Sequence, residues 1–196
     1  MQDSIIEISS YVKERLKNSA HDYDHTLRVQ RISEFLLKFY PEADKDIVEV
    51  SVLLHDLFRQ EEDSDITGKV DHAAEGAKFA EEYLKKIKFP NAMIENIAHC
   101  IRTHRYRSGS EKPSTLEARI LFDSDKLDVL GAVGIARAFM VAGEYGERLY
   151  SEIEINDYIK QNLVDGEIKG RIIDITRHSP NLEFETKFRY IPKLLF

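Results

Sequence analysis

The chain has 196 residues, 42% hydrophobic and 32% charged, the composition of a globular protein long enough to bury a substantial core. Its 28 basic and 35 acidic residues leave a net charge of −7, which argues against a nucleic-acid or membrane-surface binder, since both need a concentrated basic footprint. The single cysteine, Cys100, excludes an internal disulfide framework, and neither a basic-then-apolar leader nor an apolar run near the roughly 18 residues of a membrane span is present, so a soluble cytoplasmic protein is expected.

Ile5, Ile8, Val12 and Leu16 share one face of a first helix, with Asp3 or Ser4 placed to cap it. A second helix is expected from Asp24 to Tyr40, with Val29, Ile32, Leu36 and Phe39 as its stripe and Pro41 as its stop. The third, about Asp44 to Arg59, is apolar nearly all round, which places it in the middle of a bundle. Gln60 to Val70 is polar and acidic, contains Gly68, and reads as a solvated loop. Helices follow at about Asp71 to Ile87 and, after Pro90, at Ala92 to Tyr106. Ser108 to Ser114 reads as a loop, and Thr115 caps a long helical stretch towards Gly131. Gly131 to Met140 (GAVGIARAFM) looks like another buried helix, its small residues permitting close approach. Beyond Gly143 the pattern weakens, and from His178 the tail alternates irregularly to Leu194-Leu195-Phe196. The expectation is an all-α helical bundle, one domain over residues 1–196, with an irregular C-terminal segment.

Three sites set ionisable groups on apolar faces. His25 falls near the centre of the second helix's stripe. In LLHDLF (Leu53 to Phe58), His55 and Asp56 sit inside the most apolar element of the chain. Asp125 shares a face with Leu121, and Asp128 lies one turn further on. A carboxylate buried alone costs several kcal/mol or more, so such groups need a partner. A lone histidine on an apolar face commonly bonds a backbone carbonyl, and Asp56 alone could pair with Arg59. The set HDYDH, LLHD and DSDKLD, each on a helix, points instead to a divalent cation, because imidazole and carboxylate are the ligands that Mn, Fe, Co, Ni, Zn or Mg accept.

That set resembles the HD-domain superfamily of metal-dependent phosphohydrolases over roughly Ser19 to Met140. The pattern H…HD…D is matched at His25, His55, Asp56 and Asp125. The segments DHTLRV (Asp24 to Val29), LLHDLFR (Leu53 to Arg59), DHAAEGA (Asp71 to Ala77), IRTH (Ile101 to His104) and LFDSDKLDVLGAVGIARAF (Leu121 to Phe139) are similar to a bacterial and archaeal branch of small, stand-alone HD hydrolases. The resemblance implies an all-α fold, a metal held by those four residues, and hydrolysis of a phosphoester or phosphoanhydride, commonly in a nucleotide. In this branch it also implies cleavage of a nucleoside triphosphate to monophosphate and pyrophosphate. Alarmone-hydrolysing relatives carry a Glu-Asp pair one turn after HD; Arg59 and Gln60 stand there in this chain, which argues against that reaction.

The other ionisable residues divide by position. His104 continues the Ile97, Ile101 stripe and points inward, whereas His99 projects to the opposite, polar face. His72 starts its helix beside the Ala73, Ala77, Ala80 stripe. Two-metal HD proteins draw ligands from this middle region, so His72 and His104 are either ligands of a second ion or hydrogen-bond partners that orient the first set. His21 is read as pocket rim or plain loop, His99 and His178 as surface residues, and Cys100 as packing. Arg28, Arg59 and Lys126, with Arg137 further off, flank the ligand positions and are candidates for offsetting phosphate charge, each against the plainer role of a surface ion pair. Asp128 and Glu75 are the acids considered for the general base. The expected partner is a small phosphorylated substrate, with a nucleotidase or phosphodiesterase, a non-catalytic nucleotide sensor and a di-iron oxygenase as the alternative readings.

Overall fold

The computed structural model describes residues 2–16, 23–65, 69–107 and 111–196; His21, Gly68 and Ser108 to Ser110 lie outside the described residues. The chain divides into two compact units, one of Met1–Arg105 with Glu111–Leu127 and one of Tyr106–Ser110 with Asp128–Phe196. The fold is all-α, and among the described residues no helix is long and apolar enough to cross a membrane.

In the first unit the elements are α1 (Gln2–Arg15), α2 (Tyr23–Leu36), α3 (Lys45–Leu54), α4 (Arg59–Ser64), α5 (His72–Lys86), α6 (Asn91–Thr103) and α7 (Leu116–Asp128, whose last residue begins the second unit). Helix starts follow local chemistry. Asp44 accepts the free N–H groups of Asp46 and Ile47 at the head of α3, Asp71 those of Ala73 and Ala74 at the head of α5, and Thr115 that of Ala118 in α7. The all-round apolar character of α3 is explained by its place: it packs against α1, α2 and α6, and Val48, Val50, Val52 and Leu54 are completely buried. Each such side chain contributes about 1.5–3 kcal/mol of burial free energy. Helix α5 lies along α6.

The sequence reading needs three corrections here. Helix α2 stops at Leu36 rather than Tyr40; the chain tightens through i→i+3 bonds from Lys38, Phe39 and Tyr40, and Phe39 is exposed instead of completing the stripe. Helix α3 ends at Leu54 rather than near Arg59, because the chain turns through His55–Phe58 with Leu57 N–H donating to the Leu54 carbonyl and Arg59 N–H to that of Asp56. The acidic stretch after it is not a solvated loop: it forms α4, where Glu61 and Glu62 occupy the first turn that favours negative charge, and Glu62 is buried.

The second unit contains α8 (Gly131–Tyr145), α9 (Ile155–Asn162) and α10 (Pro180–Thr186), with 3-10 turns at Val164–Gly166, Ile175–Arg177 and Phe188–Lys193. Its small core is Tyr158, Leu163 and Leu182, with Ile153, Ile155, Ile159 and Ile172 against it. His178, read as a surface residue, is buried instead: Tyr158 Oη and His178 Nδ1 are 2.5 Å apart, His178 Nε2 lies 3.2 Å from Glu183, and Arg107 donates to Glu183 at 2.8 Å. This buried polar chain ties α9 to the start of α10 beside the small apolar core. Helix α8 also departs from expectation. Gly134, Arg137 and Ala142 are its buried residues, while Val133, Ile135, Phe139 and Met140 are 45–59% exposed.

Gly134 shows why the inward stripe of α8 is small. A Cβ there would stand 1.9 Å from the Val129 carbonyl oxygen, whereas one at Gly143 would meet nothing within 4 Å. Gly134→Ala is therefore expected to cost about 1–3 kcal/mol of stability, and Gly143→Ala to be neutral or to stabilise by up to about 1 kcal/mol. Thermal or denaturant unfolding of the two variants checks the contrast.

Candidate metal centre

The histidines of the first unit sit mostly at helix ends, where the backbone has bonds to spare. His55 follows the last residue of α3 and donates its Nδ1–H to the Val52 carbonyl at 2.7 Å. His104 follows the last residue of α6 and donates its Nδ1–H to the Ile101 carbonyl at 2.6 Å. In both cases the ring satisfies a carbonyl three residues back and is left with an unprotonated Nε2 facing inward. His72 opens α5, with Nδ1 against the carboxylate of Glu62, and His25 lies in the first turn of α2. Asp125 comes from the last turn of α7.

These ends converge on Asp56. Its Oδ2 lies 3.6 Å from the Nε2 atoms of both His25 and His55, which are 3.4 Å from each other. Its Oδ1 lies 3.3 Å from His72 Nε2 and 3.4 Å from His104 Nε2, themselves 3.2 Å apart. Asp125 joins the first set through Oδ1, 3.4 Å from His25 Nε2. The four imidazoles run His25, His55, His104, His72 with neighbouring ring centroids 5.1–5.4 Å apart, and all are buried. The structure thus brings together His25, His55, Asp56 and Asp125, and adds His72 and His104 around the second oxygen of Asp56.

The donor set fits a divalent cation. Neighbouring ligands of one ion at about 2.0–2.4 Å stand roughly 3–3.5 Å from one another, which is the spacing of these atoms. His25, His55 and Asp56 form one such group and Asp56, His72 and His104 another. Imidazole with carboxylate is chemistry that borderline and hard metals accept. Unprotonated nitrogens facing each other beside a buried carboxylate repel unless a positive charge lies between them.

Burial holds this set ready for a cation. It pushes His55 below the ordinary histidine value, and pushes His104 down to about 4 even though the Asp56 carboxylate beside it favours the protonated ring. Asp125 is buried too, which alone would raise it, but Lys126 and the histidines hold it well below the carboxylate range. Lys126 Nζ donates to Asp125 Oδ2 at 2.5 Å.

The remaining candidates are placed as follows. Arg28 is half-buried on α2, one turn beyond His25. Arg59 pairs with Glu62 and Asp63, both at 3.2 Å. Asp128 accepts from Arg137 at 2.8 Å within the second unit, so its carboxylate is already engaged; Glu75 is exposed on α5. His99 is partly covered rather than exposed, between Glu111 at 2.9 Å and Ser114, and Cys100 is buried as packing with its thiol pushed by burial up to about 12. Glu62 and Arg105 were not singled out from sequence. Glu62 is buried, takes His72 Nδ1, Arg59 and Arg105 at 3.0 Å, and against the effect of burial these partners hold it down to about 2. Only the Arg59, Glu62 spacing of three residues hinted at it.

Because His104 is depressed from 6.5 to about 4, the folded chain resists a proton that the unfolded chain accepts. Stability therefore falls as pH drops from 6.5 towards 4, and levels off for this group below 4. Glu62, depressed from 4.5 to about 2, extends the loss below pH 4.5. Thermal unfolding of chelator-treated protein between pH 7.5 and 4 is expected to show this decline, and His104→Asn to flatten its upper part.

Residues 22–130 match the family model HD domain. YpgQ of Bacillus subtilis, an uncharacterized protein, is 31% identical over 142 residues, covering 69% of this chain and 64% of YpgQ, a little under two thirds of that relative. The crystal structure of YpgQ in complex with ADP matches with a TM-score of 0.66 at 24% identity, over 98% of this chain and 83% of that one. A Lactobacillus plantarum structure matches with a TM-score of 0.75 at 20% identity, over 100% and 85%; these two likenesses concern the fold. A protein described as a predicted HD superfamily hydrolase, from an uncultured Thermotogales bacterium, is 30% identical with a TM-score of 0.56, over 76% of this chain and 78% of its own. With more than half of the chain matched, including every residue around Asp56, this protein belongs to the HD-domain family.

Proposed function

We propose that the protein is a metal-dependent phosphohydrolase of a small nucleotide, with a nucleoside triphosphate cleaved to monophosphate and pyrophosphate as the leading reaction. The observation that carries this reading is Asp56, whose two oxygens each face a pair of imidazole Nε2 nitrogens 3.3–3.6 Å away. His25, His55, Asp56 and Asp125 would hold one cation; His72 and His104 would hold a second on the other oxygen of Asp56. A bound divalent cation supplies Lewis acidity towards a phosphoryl oxygen and lowers the pKa of a coordinated water. The resemblance to the triphosphate-cleaving branch and the ADP bound to YpgQ both favour a nucleotide.

The chain's own cations have defined work. Lys126 takes the outer oxygen of Asp125, which keeps that carboxylate ionised and aimed at His25. A triphosphate carries more charge than one divalent ion offsets, so further positive groups are needed at the substrate. Arg28, one turn from His25, fills that role in this reading. Arg59 does so by exchanging the carboxylates of Glu62 and Asp63 for phosphate oxygens.

The deciding experiment is a screen of nucleotides with Mn²⁺, Co²⁺, Mg²⁺ and Fe²⁺ in which phosphate and pyrophosphate are resolved. Pyrophosphate from triphosphates is the expected product; rapid phosphate release from monophosphates, with triphosphates intact, would make it a nucleotidase. Binding without turnover would indicate a sensor. The two donor groups are also what a di-iron oxygenase requires, and substrate-dependent oxygen uptake by the iron-loaded protein would favour that chemistry.

Two variants separate the roles. Asp125→Asn is expected to lower metal content and Tm together, since a native state that binds its ion less tightly loses linkage stabilisation. Arg28→Ala is expected to cut kcat/KM for triphosphates roughly 10- to 100-fold with metal content unchanged. Elemental analysis beside steady-state kinetics checks both.

A further inference from the structure

Glu62 is not one of the H…HD…D residues, yet it touches three positive or proton-bearing groups in the first unit. Its Oε2 meets His72 Nδ1 and lies 3.2 Å from Arg59 Nη1, and its Oε1 lies 3.0 Å from Arg105 Nη2. Arg105 in turn reaches Asp71 Oδ1 at 2.9 Å, the carboxylate that caps α5. The glutamate therefore contacts one histidine of the His72, His104 pair directly and pairs with Arg105, the chain neighbour of the other. Its side chain is 5% exposed, and that of Arg105 is 8% exposed.

The His72 ring has two nitrogens and the neighbours decide their roles. Nε2 faces Asp56 and His104. Nδ1 is approached both by the Glu62 carboxylate, which only accepts, and by Arg59 Nη1 at 3.3 Å, which only donates. One atom cannot serve both. The carboxylate contact is the shorter, and Arg59 already donates to Glu62 and is ion-paired with Asp63, so the proton belongs on Nδ1 and points at Glu62. The ring is then fixed in place with Nε2 available. His55 and His104 obtain the same result from backbone carbonyls. His72, at the start of a helix, has no carbonyl of a preceding turn to use, and α4 supplies the acceptor instead.

We propose that Glu62 is a positioning residue: by accepting the Nδ1–H of His72 and clamping Arg105, it builds the His72, His104 half of the centre for a divalent cation while leaving the His25, His55, Asp125 half independent of it. The proposal rests on the two-cation reading above, but makes a claim about His72 that does not require metal. A carboxylate behind a ligating histidine orients the ring and raises its basicity, and removing such a partner typically costs about 10- to 100-fold in metal affinity.

The test uses the full chain, chelated and then titrated with Mn²⁺ or Zn²⁺ by calorimetry with elemental analysis, alongside nitrogen-edited NMR of the histidine ring protons in the metal-free state. In the wild type, a protected His72 Nδ1–H resonance and two ions per chain are expected. Glu62→Ala should lose that resonance and weaken the second ion about 10- to 100-fold with the first unchanged, and Glu62→Gln, whose amide oxygen still accepts, should recover most of both. Far-ultraviolet circular dichroism guards against a loss of α4 and its neighbours. Wild-type affinity for both ions in Glu62→Ala, or a His72 ring without an Nδ1 proton in the wild type, would overturn the proposal. One ion per chain in the wild type, with the Nδ1–H still lost in Glu62→Ala, would instead remove the two-cation reading and leave the orienting role of Glu62 standing.

Discussion

The first unit is organised around the surroundings of the Asp56 carboxylate. Four imidazole nitrogens approach its two oxygens within 3.6 Å, in a region that water scarcely reaches. Left to itself such a cluster opposes folding, because buried charge and facing lone pairs carry a desolvation cost of several kcal/mol. The fold tolerates it through hydrophobic packing beneath, in the fully buried valines and leucines of α3, and through hydrogen bonds that fix the His55, His72 and His104 rings from behind. On the reading proposed here, a cation supplies the attraction that the protein atoms alone lack.

Helix ends make this arrangement economical. A ring just past the last turn of a helix can satisfy a carbonyl that has no N–H of its own and still project its far nitrogen into the interior. His55 and His104 do this on α3 and α6. The turn His55–Phe58 lets Asp56 follow His55 without continuing the helix, so the two side chains leave a single segment towards the same point. Helix α4 then folds back its acid onto His72. Packing, capping and the site are consequences of the same few chain reversals.

Much of this was legible in the residues, and the exceptions have physical reasons. The all-round apolar run of α3 announced a central helix, Thr115 was read as a cap, and the helices expected from about Asp44 and Asp71 do begin there, each aspartate a short acceptor for the first free N–H groups. His25, His55, Asp56 and Asp125 stood out as ionisable groups on apolar faces. Glu62 did not, because a six-residue helix gives too little sequence for a period to show, and an acidic run looks solvated until its partners are known. His178 was missed because its burial depends on Tyr158, twenty residues earlier in the chain, in a segment without periodicity. The exposure of Val133, Ile135, Phe139 and Met140 was missed because a helix apolar on every face does not reveal which stripe is buried; the close approach at Gly134 decided it.

The sharing of Asp56 between two cations can be seen directly by anomalous diffraction from Mn²⁺-soaked crystals of the wild-type chain, recorded on both sides of the manganese edge. Two anomalous peaks are expected on either side of the Asp56 carboxylate, one among His25, His55 and Asp125 and one between His72 and His104. No peak within bonding distance of Asp56, or manganese bound only at surface carboxylates, would contradict it.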